Sequence, residues 1–114
     1  MVSRADDWLR QALKDLKHAA QQAAEKAVKA LYQKLRLEVW GHSISRMLSS
    51  LPKEYKPPQE FVEKAKELDG HYILARYPNL HPEGAPLDYY TEEDAKRAIE
   101  YAEKIVEFCR SKGF

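Results

Sequence analysis

The chain has 114 residues, 32% charged and 44% hydrophobic, and its 19 Lys and Arg against 18 Asp and Glu leave a net charge of +1. That length suits one domain around one core, and the near-neutral balance excludes a broad electrostatic pull on nucleic acid, though not a local basic patch. A lone Cys109 excludes an internal disulfide, no apolar run approaches ~20 residues, and MVSRADDW lacks a signal-peptide core, so a cytoplasmic protein is expected.

From Ser3 to Trp40 there is neither Gly nor Pro. Ser3 and Asp6 match a capping box, in which a hydroxyl and a carboxylate satisfy free amides at a helix start. Behind them Ala5, Leu9, Ala12, Leu16, Ala19 and Ala23 recur at alternating steps of four and three, and Ala27 and Leu31 extend the stripe. The spacing predicts one unbroken helix of roughly 35 residues, about 50 Å long, ended by Gly41. So long a helix needs a partner helix or a second subunit along its length. A shorter helix is expected after His42 and Ser43, burying Ile44, Met47, Leu48 and Leu51. Pro52, Pro57 and Pro58 bracket a turn, and Pro58 is suited to open the next helix. That helix, PQEFVEKAKELDGHYILARY, buries Phe61, Val62, Ala65, Leu68 and Tyr72, with Ile73 at the margin. Gly70 inside it costs about 1 kcal/mol relative to Ala, which implies close packing there. The stretch PNLHPEGAPLDYY is too rich in Pro and Gly to be helical. Thr91 to Asp94 form a second capping box, opening a helix with a core stripe of Ala95, Ala98, Ile99, Ala102, Ile105, Val106 and Cys109. No strand signal competes, and the expected fold is an all-α, up-and-down helical bundle over residues 1–114.

Several chemistries are excluded by what is missing. The four glycines, at 41, 70, 84 and 113, are too scattered to cradle a phosphate. The chain has no HExxH, no paired Cys and no Glu-x-x-His of the kind that holds two metals in a four-helix bundle. Glu63, Glu67 and His71 share a face, and Glu38 and His42 straddle Gly41, but both sets read as solvated charge; His18 reads as exposed. No metal and no cofactor is expected.

Two clusters remain. In Trp40-Gly41-His42-Ser43, helix N-terminal amides stand beside an imidazole and a hydroxyl, which makes His42 and Ser43 candidate ligand-binding residues. The plainer alternative has one of them capping the helix while Trp40 fills the core. The second cluster runs from Tyr72 to His81, where a helix gives way to a loop. Arg76 can grip a phosphate, His81 can move a proton near neutral pH, and Tyr72 and Tyr77 can stack on bases. Here the alternative is an Arg76–carboxylate pair anchoring the loop, with His81 on the surface.

Taken together, RADDWLRQALKDLKHA, QQAAEKAVKALY, WGHSISRMLSSLP, AKELDGHYILARYP and YTEEDAKRAIEYAEKIV resemble the HEPN domain family, small helical proteins that accompany minimal nucleotidyltransferases. The resemblance covers nearly the whole chain. It implies a bundle of four or five helices that forms a homodimer, with a nucleotide- or RNA-related role in two-gene modules of the toxin–antitoxin kind. Some members are metal-independent ribonucleases carrying Arg, four to six residues, then His, a spacing that Arg76 and His81 satisfy. In that reading His81 activates the ribose 2′-hydroxyl and Arg76 stabilises charge on the phosphate. This chain departs from the nuclease setting, because Pro78 forbids a regular helix between the two and Pro82 and Glu83 follow the His. It departs again at DLKHAAQQAAEKA, where family members have a helical hairpin. Either the first two family helices are fused into one, or a segment is missing; fusion implies an intertwined dimer.

Overall fold

The computed structural model describes residues 4–76 and 91–114, the span 71–76 as backbone only. Four α-helices follow in order: α1 (Arg4–Lys34), α2 (Ile44–Ser49), α3 (Gln59–Arg76) and α4 (Glu92–Gly113), with a 3₁₀ turn at Lys53–Tyr55. No strand occurs among the described residues. One unbroken 31-residue helix spans both stretches that the resemblance assigns to the first two family helices.

α1 stops at Lys34, well short of Gly41, and Arg36 is the cause. Its φ of 59° turns the chain left-handed. The Leu37 N–H then donates to the Tyr32 carbonyl at 2.9 Å and the Arg36 N–H to that of Gln33 at 3.0 Å. These bonds make a Schellman motif, which usually relies on Gly. Gly41, at φ 80°, instead makes a second left-handed turn inside the connection to α2.

The core is built from Ala24, Val28 and Leu31 of α1, Ile44 and Leu48 of α2, Leu51, Leu68 of α3, and Ile105 and Cys109 of α4, all at most 2% exposed. α1 and α4 share the largest interface. They run parallel, since Leu13 and Leu16 lie beside Glu92 and Ala95 while Leu31 touches the backbone at Gly113. A Cβ at Gly113 would stand 3.0 Å from Leu31 Cδ1, so close approach falls there. At Gly70 an added Cβ meets nothing within 4 Å among the described residues, which do not supply the close packing expected there. Phe61 and Phe108 join α3 to α4, ring centroids 5.4 Å apart. Lys17, Glu67, Asp94 and Arg97 tie three helices together at one end. Arg97 Nε donates to Glu67 at 3.0 Å and an Arg97 terminal nitrogen to Asp94 at 2.8 Å. Burial lowers the pKa of Lys17, against the pull of Asp94 and Glu67.

The long helix carries two apolar faces. Its buried face runs through Ala20, Ala24, Val28, Leu31 and Tyr32. The regular stripe Ala5, Leu9, Ala12, Leu16, Ala19 and Ala23 lies roughly a third of a turn away and is exposed along its whole length. The predicted seam is real, but it faces away from the core of its own chain.

Candidate functional site

The short helix α2 is held at its start by side chains from elsewhere. Ser43 is its N-cap, its hydroxyl accepting from the Arg46 N–H at 3.2 Å. Asp69, two turns before the end of α3, supplies the rest. Its carboxylate accepts the N–H of Ile44 at 2.7 Å, the N–H of Ser45 at 3.1 Å and the hydroxyls of Ser45 and Ser43 at 2.6 and 3.1 Å. A helix start favours an anion because its first amides have no partner within the helix. Here the anion is the protein's own Asp69.

His42 stands next to this knot and points elsewhere. Its Nδ1 is 3.1 Å from Glu25 Oε2 on α1, an arrangement that puts the ring proton on Nδ1 and bridges the loop to the long helix. Glu25 is buried, and its other contacts are Lys29 Nζ at 3.0 Å and Gln21 Nε2 at 2.9 Å. Burial alone would raise the Glu25 pKa, but the hydrogen bonds from His42, Lys29 and Gln21 outweigh it and hold the carboxyl below its ordinary value. His42 itself is half exposed at its outer side.

Trp40 does not fill the core. It is 81% exposed, and Val39 packs inward in its place. The indole borders a surface cleft of about 470 Å³ lined also by Tyr32, Leu37, Glu38, Arg46 and Met47. At the cleft floor the buried Tyr32 hydroxyl donates to the Met47 carbonyl at 2.6 Å and ties α1 to α2. Burial raises the Tyr32 pKa, so the phenol stays protonated as a donor.

Of the second cluster, α3 carries Tyr72 and ends at Arg76. Tyr77 and His81 lie outside the described residues. Arg76 follows Asp69 by seven residues, which places both on one face of α3, two turns and about 10 Å apart. The residues that sequence reasoning missed are Glu25 and Asp69. Gln21 and Glu25 sit one turn apart in a run of alanines, and on the face that also holds Val28 and Tyr32, a signal that a polar pair is buried there. Asp69 gave no comparable signal, since its partners are 24 to 26 residues away.

Glu63 and Glu67 are indeed engaged at the surface, Glu63 with Gln59 and Lys66 and Glu67 with Arg97. Among the described residues no group of three His, Cys, Asp or Glu converges as a metal site, and no helix is long and apolar enough to cross a membrane.

A long helix laid parallel to the last one and a short helix capped from α3 define a small all-α bundle of a particular kind. Residues 18–112 match the family model of the HEPN domain. The chain belongs to the HEPN family. It is 40% identical to TT1696 from Thermus thermophilus, whose crystal structure superposes with a TM-score of 0.74 over 97% of this chain and 99% of that one. Similarity to the crystal structure of ST0689, an archaeal HEPN homologue, is 36% identity with a TM-score of 0.67, over 99% of this chain and 100% of that one. A Methanocaldococcus jannaschii protein named "Putative toxin MJ1304" is 29% identical over 105 residues, 84% of this chain and 69% of the relative.

Proposed function

We propose that this protein is the HEPN half of a two-gene, toxin–antitoxin-like system, a homodimer that associates with a minimal nucleotidyltransferase and acts on or near a nucleotide or RNA. The family match over residues 18–112 carries this reading, and the similarity to a protein named as a toxin supports it. In this reading Arg76 is the phosphate contact, with Tyr72, Tyr77 and His42 as the other ligand-binding residues; Ser43, expected as a further one, is instead occupied as the cap of α2 and as a donor to Asp69. Asp69 engages Ser43 and precedes Arg76 by two turns of α3. Coexpression with a minimal nucleotidyltransferase from a neighbouring gene, followed by co-purification, tests the partner. ATP titrated calorimetrically into the complex, with and without Arg76→Ala, tests the ligand. Failure of the two proteins to co-purify would remove the proposal.

A second reading, metal-independent RNA cleavage by Arg76 and His81, is favoured by their spacing, Arg, four residues, then His. A base must come within hydrogen-bond reach of the 2′-hydroxyl it deprotonates. RNA cleavage in EDTA that falls at least ~100-fold in His81→Ala and in Arg76→Ala is the expected result. Cleavage that survives both substitutions eliminates this mechanism.

A further inference from the structure

Past the end of α1 the chain runs without helix from Leu37 to Trp40, and in such an extended stretch successive side chains point to opposite sides. Val39 packs inward on the core, so Glu38 and Trp40 both turn outward, and both line the cleft of about 470 Å³. The indole face, 81% exposed, thus stands beside a carboxylate, a group that only accepts hydrogen bonds. Arg46 borders the same cleft from α2, and Arg36 and Lys53 are the chain neighbours of Leu37 and Pro52 at its edges. Among the described residues none of these three cations is ion-paired with a carboxylate. The stretch 34–56 holds five Lys and Arg against two Glu, a charge of +3 in a chain whose total is +1, which leaves −2 for all the rest. We infer that this cleft binds one guanine of a single-stranded RNA. The base stacks on Trp40 and donates its N1–H and 2-amino group to Glu38, while the flanking phosphates lie on Arg46, Arg36 and Lys53. The inference takes an RNA ligand from the function proposed above and gives it a contact site apart from Arg76.

Three considerations select this ligand. First, an aromatic platform set among cations is the way proteins hold single strands, because every base offers a π face and the backbone follows positive charge. A duplex keeps its bases stacked on one another, out of reach of one indole in a cleft. Second, the carboxylate chooses the base. Guanine presents two adjacent N–H donors on its Watson–Crick edge, a match for the two oxygens of Glu38. Adenine and cytosine set a ring acceptor beside their amino group, and uracil sets a carbonyl on either side of its one N–H, so each would turn a lone pair towards Glu38. Third, charge is divided within the cleft. Glu38 repels a phosphate from the indole, and Arg46 attracts it to the α2 side. The cleft is also of a size that small-molecule sites commonly have.

The test is fluorescence anisotropy of end-labelled heptaribonucleotides at low salt. The full chain should bind UUUGUUU about tenfold more tightly than UUUAUUU. Trp40→Ala should weaken UUUGUUU at least ~10-fold with unchanged helical circular dichroism, and Trp40→Tyr, which keeps an aromatic face, should restore most of the loss. Glu38→Gln should erase the preference for guanine. Arg36→Ala, Arg46→Ala and Lys53→Ala together should flatten the slope of log affinity against log salt by about 2, since each phosphate contact adds about 0.7. GMP, with one phosphate, should displace the heptamer only at concentrations at least ~100-fold higher; equal competition overturns the assignment to a strand. Unchanged binding in Trp40→Ala, or a guanine preference that Glu38→Gln keeps, overturns the inference. So does a Trp40→Ala variant that loses the nucleotidyltransferase but not the RNA, which makes the cleft a protein contact. RNA binding that needs Arg76 and not Trp40 overturns this site and leaves the functional reading standing. Failure to co-purify with the nucleotidyltransferase, with Trp40-dependent RNA binding intact, counts against that reading and leaves this cleft standing.

Discussion

Asp69 on α3 accepts the backbone N–H of Ile44 at 2.7 Å, so the carboxylate of one helix acts as the cap of another 25 residues earlier in the chain. Together with the Ser45 N–H and the two hydroxyls, it fastens α2 and α3 into one unit. Removing it in Asp69→Ala leaves amides at the start of α2 without their acceptor. The expected loss is about 2 kcal/mol, or roughly 8 °C in thermal midpoint for a chain of this size. Asp69→Asn keeps one acceptor oxygen and should fall between. A thermal melt of Asp69→Ala that matches the parent removes the capping role.

Glu25 sets a pH dependence with a definite sign. Its folded pKa is depressed by His42, Lys29 and Gln21 despite burial. A depressed carboxylate contributes stability above its unfolded value of about 4.3, and that contribution is lost as pH falls through the folded pKa. Urea midpoints between pH 6 and pH 3 should therefore drop more steeply for the parent than for Glu25→Gln. Parallel curves would show that the buried cluster does not titrate as described.

Two backbone positions should be improvable. Arg36 holds φ 59°, where an L side chain is strained by about 1 kcal/mol, and Arg36→Gly removes that strain. Gly70 lies in α3 with nothing among the described residues within 4 Å of an added Cβ, so Gly70→Ala gains about 1 kcal/mol of helix propensity. Each substitution should raise the thermal midpoint by a few degrees, and their effects should add because the sites are far apart in sequence and engage different helices. A lowered midpoint in Gly70→Ala would indicate a neighbour at that face.

Cys109 should be inert. It is 2% exposed and burial pushes its thiol up to about 12, so the reactive thiolate is scarce at neutral pH. A disulfide reagent such as DTNB should label it only after denaturation. Rapid labelling of the native protein would mean that the end of α4 opens.

The bundle was legible because helices announce themselves by period. The uninterrupted run after Ser3, the buried residues of α2, the Thr91 cap and most of the α4 stripe all follow from local spacing and capping chemistry. What local spacing could not supply was orientation and distance. The stripe through Leu9 and Leu16 is a helical seam, yet nothing in the sequence says whether a seam faces its own core or another molecule. The end of α1 was placed at Gly41 because Gly usually makes the left-handed turn, and Arg36 makes it here. The plainer reading of Trp40, a core residue, rests on hydrophobicity alone, and Val39 takes the inward position instead. In the candidate site, His42 and Ser43 were found from their place at a helix start. Their partners Glu25 and Asp69 were not, because pairings 17 and 26 residues apart depend on the packing of whole helices.

The parallel pairing of α1 with α4 has a bearing on synthesis. Ribosomes add residues at about 5–20 per second, so α1 is complete several seconds before the helix with which it shares its largest interface exists. Over that interval the buried face of α1 at Val28 and Leu31 has no final neighbour, and its alanine-rich middle must hold the helix by intrinsic preference. The richness in alanine thus serves the nascent chain as well as the finished bundle: it keeps a long helix ready for a stretch of sequence still to be made.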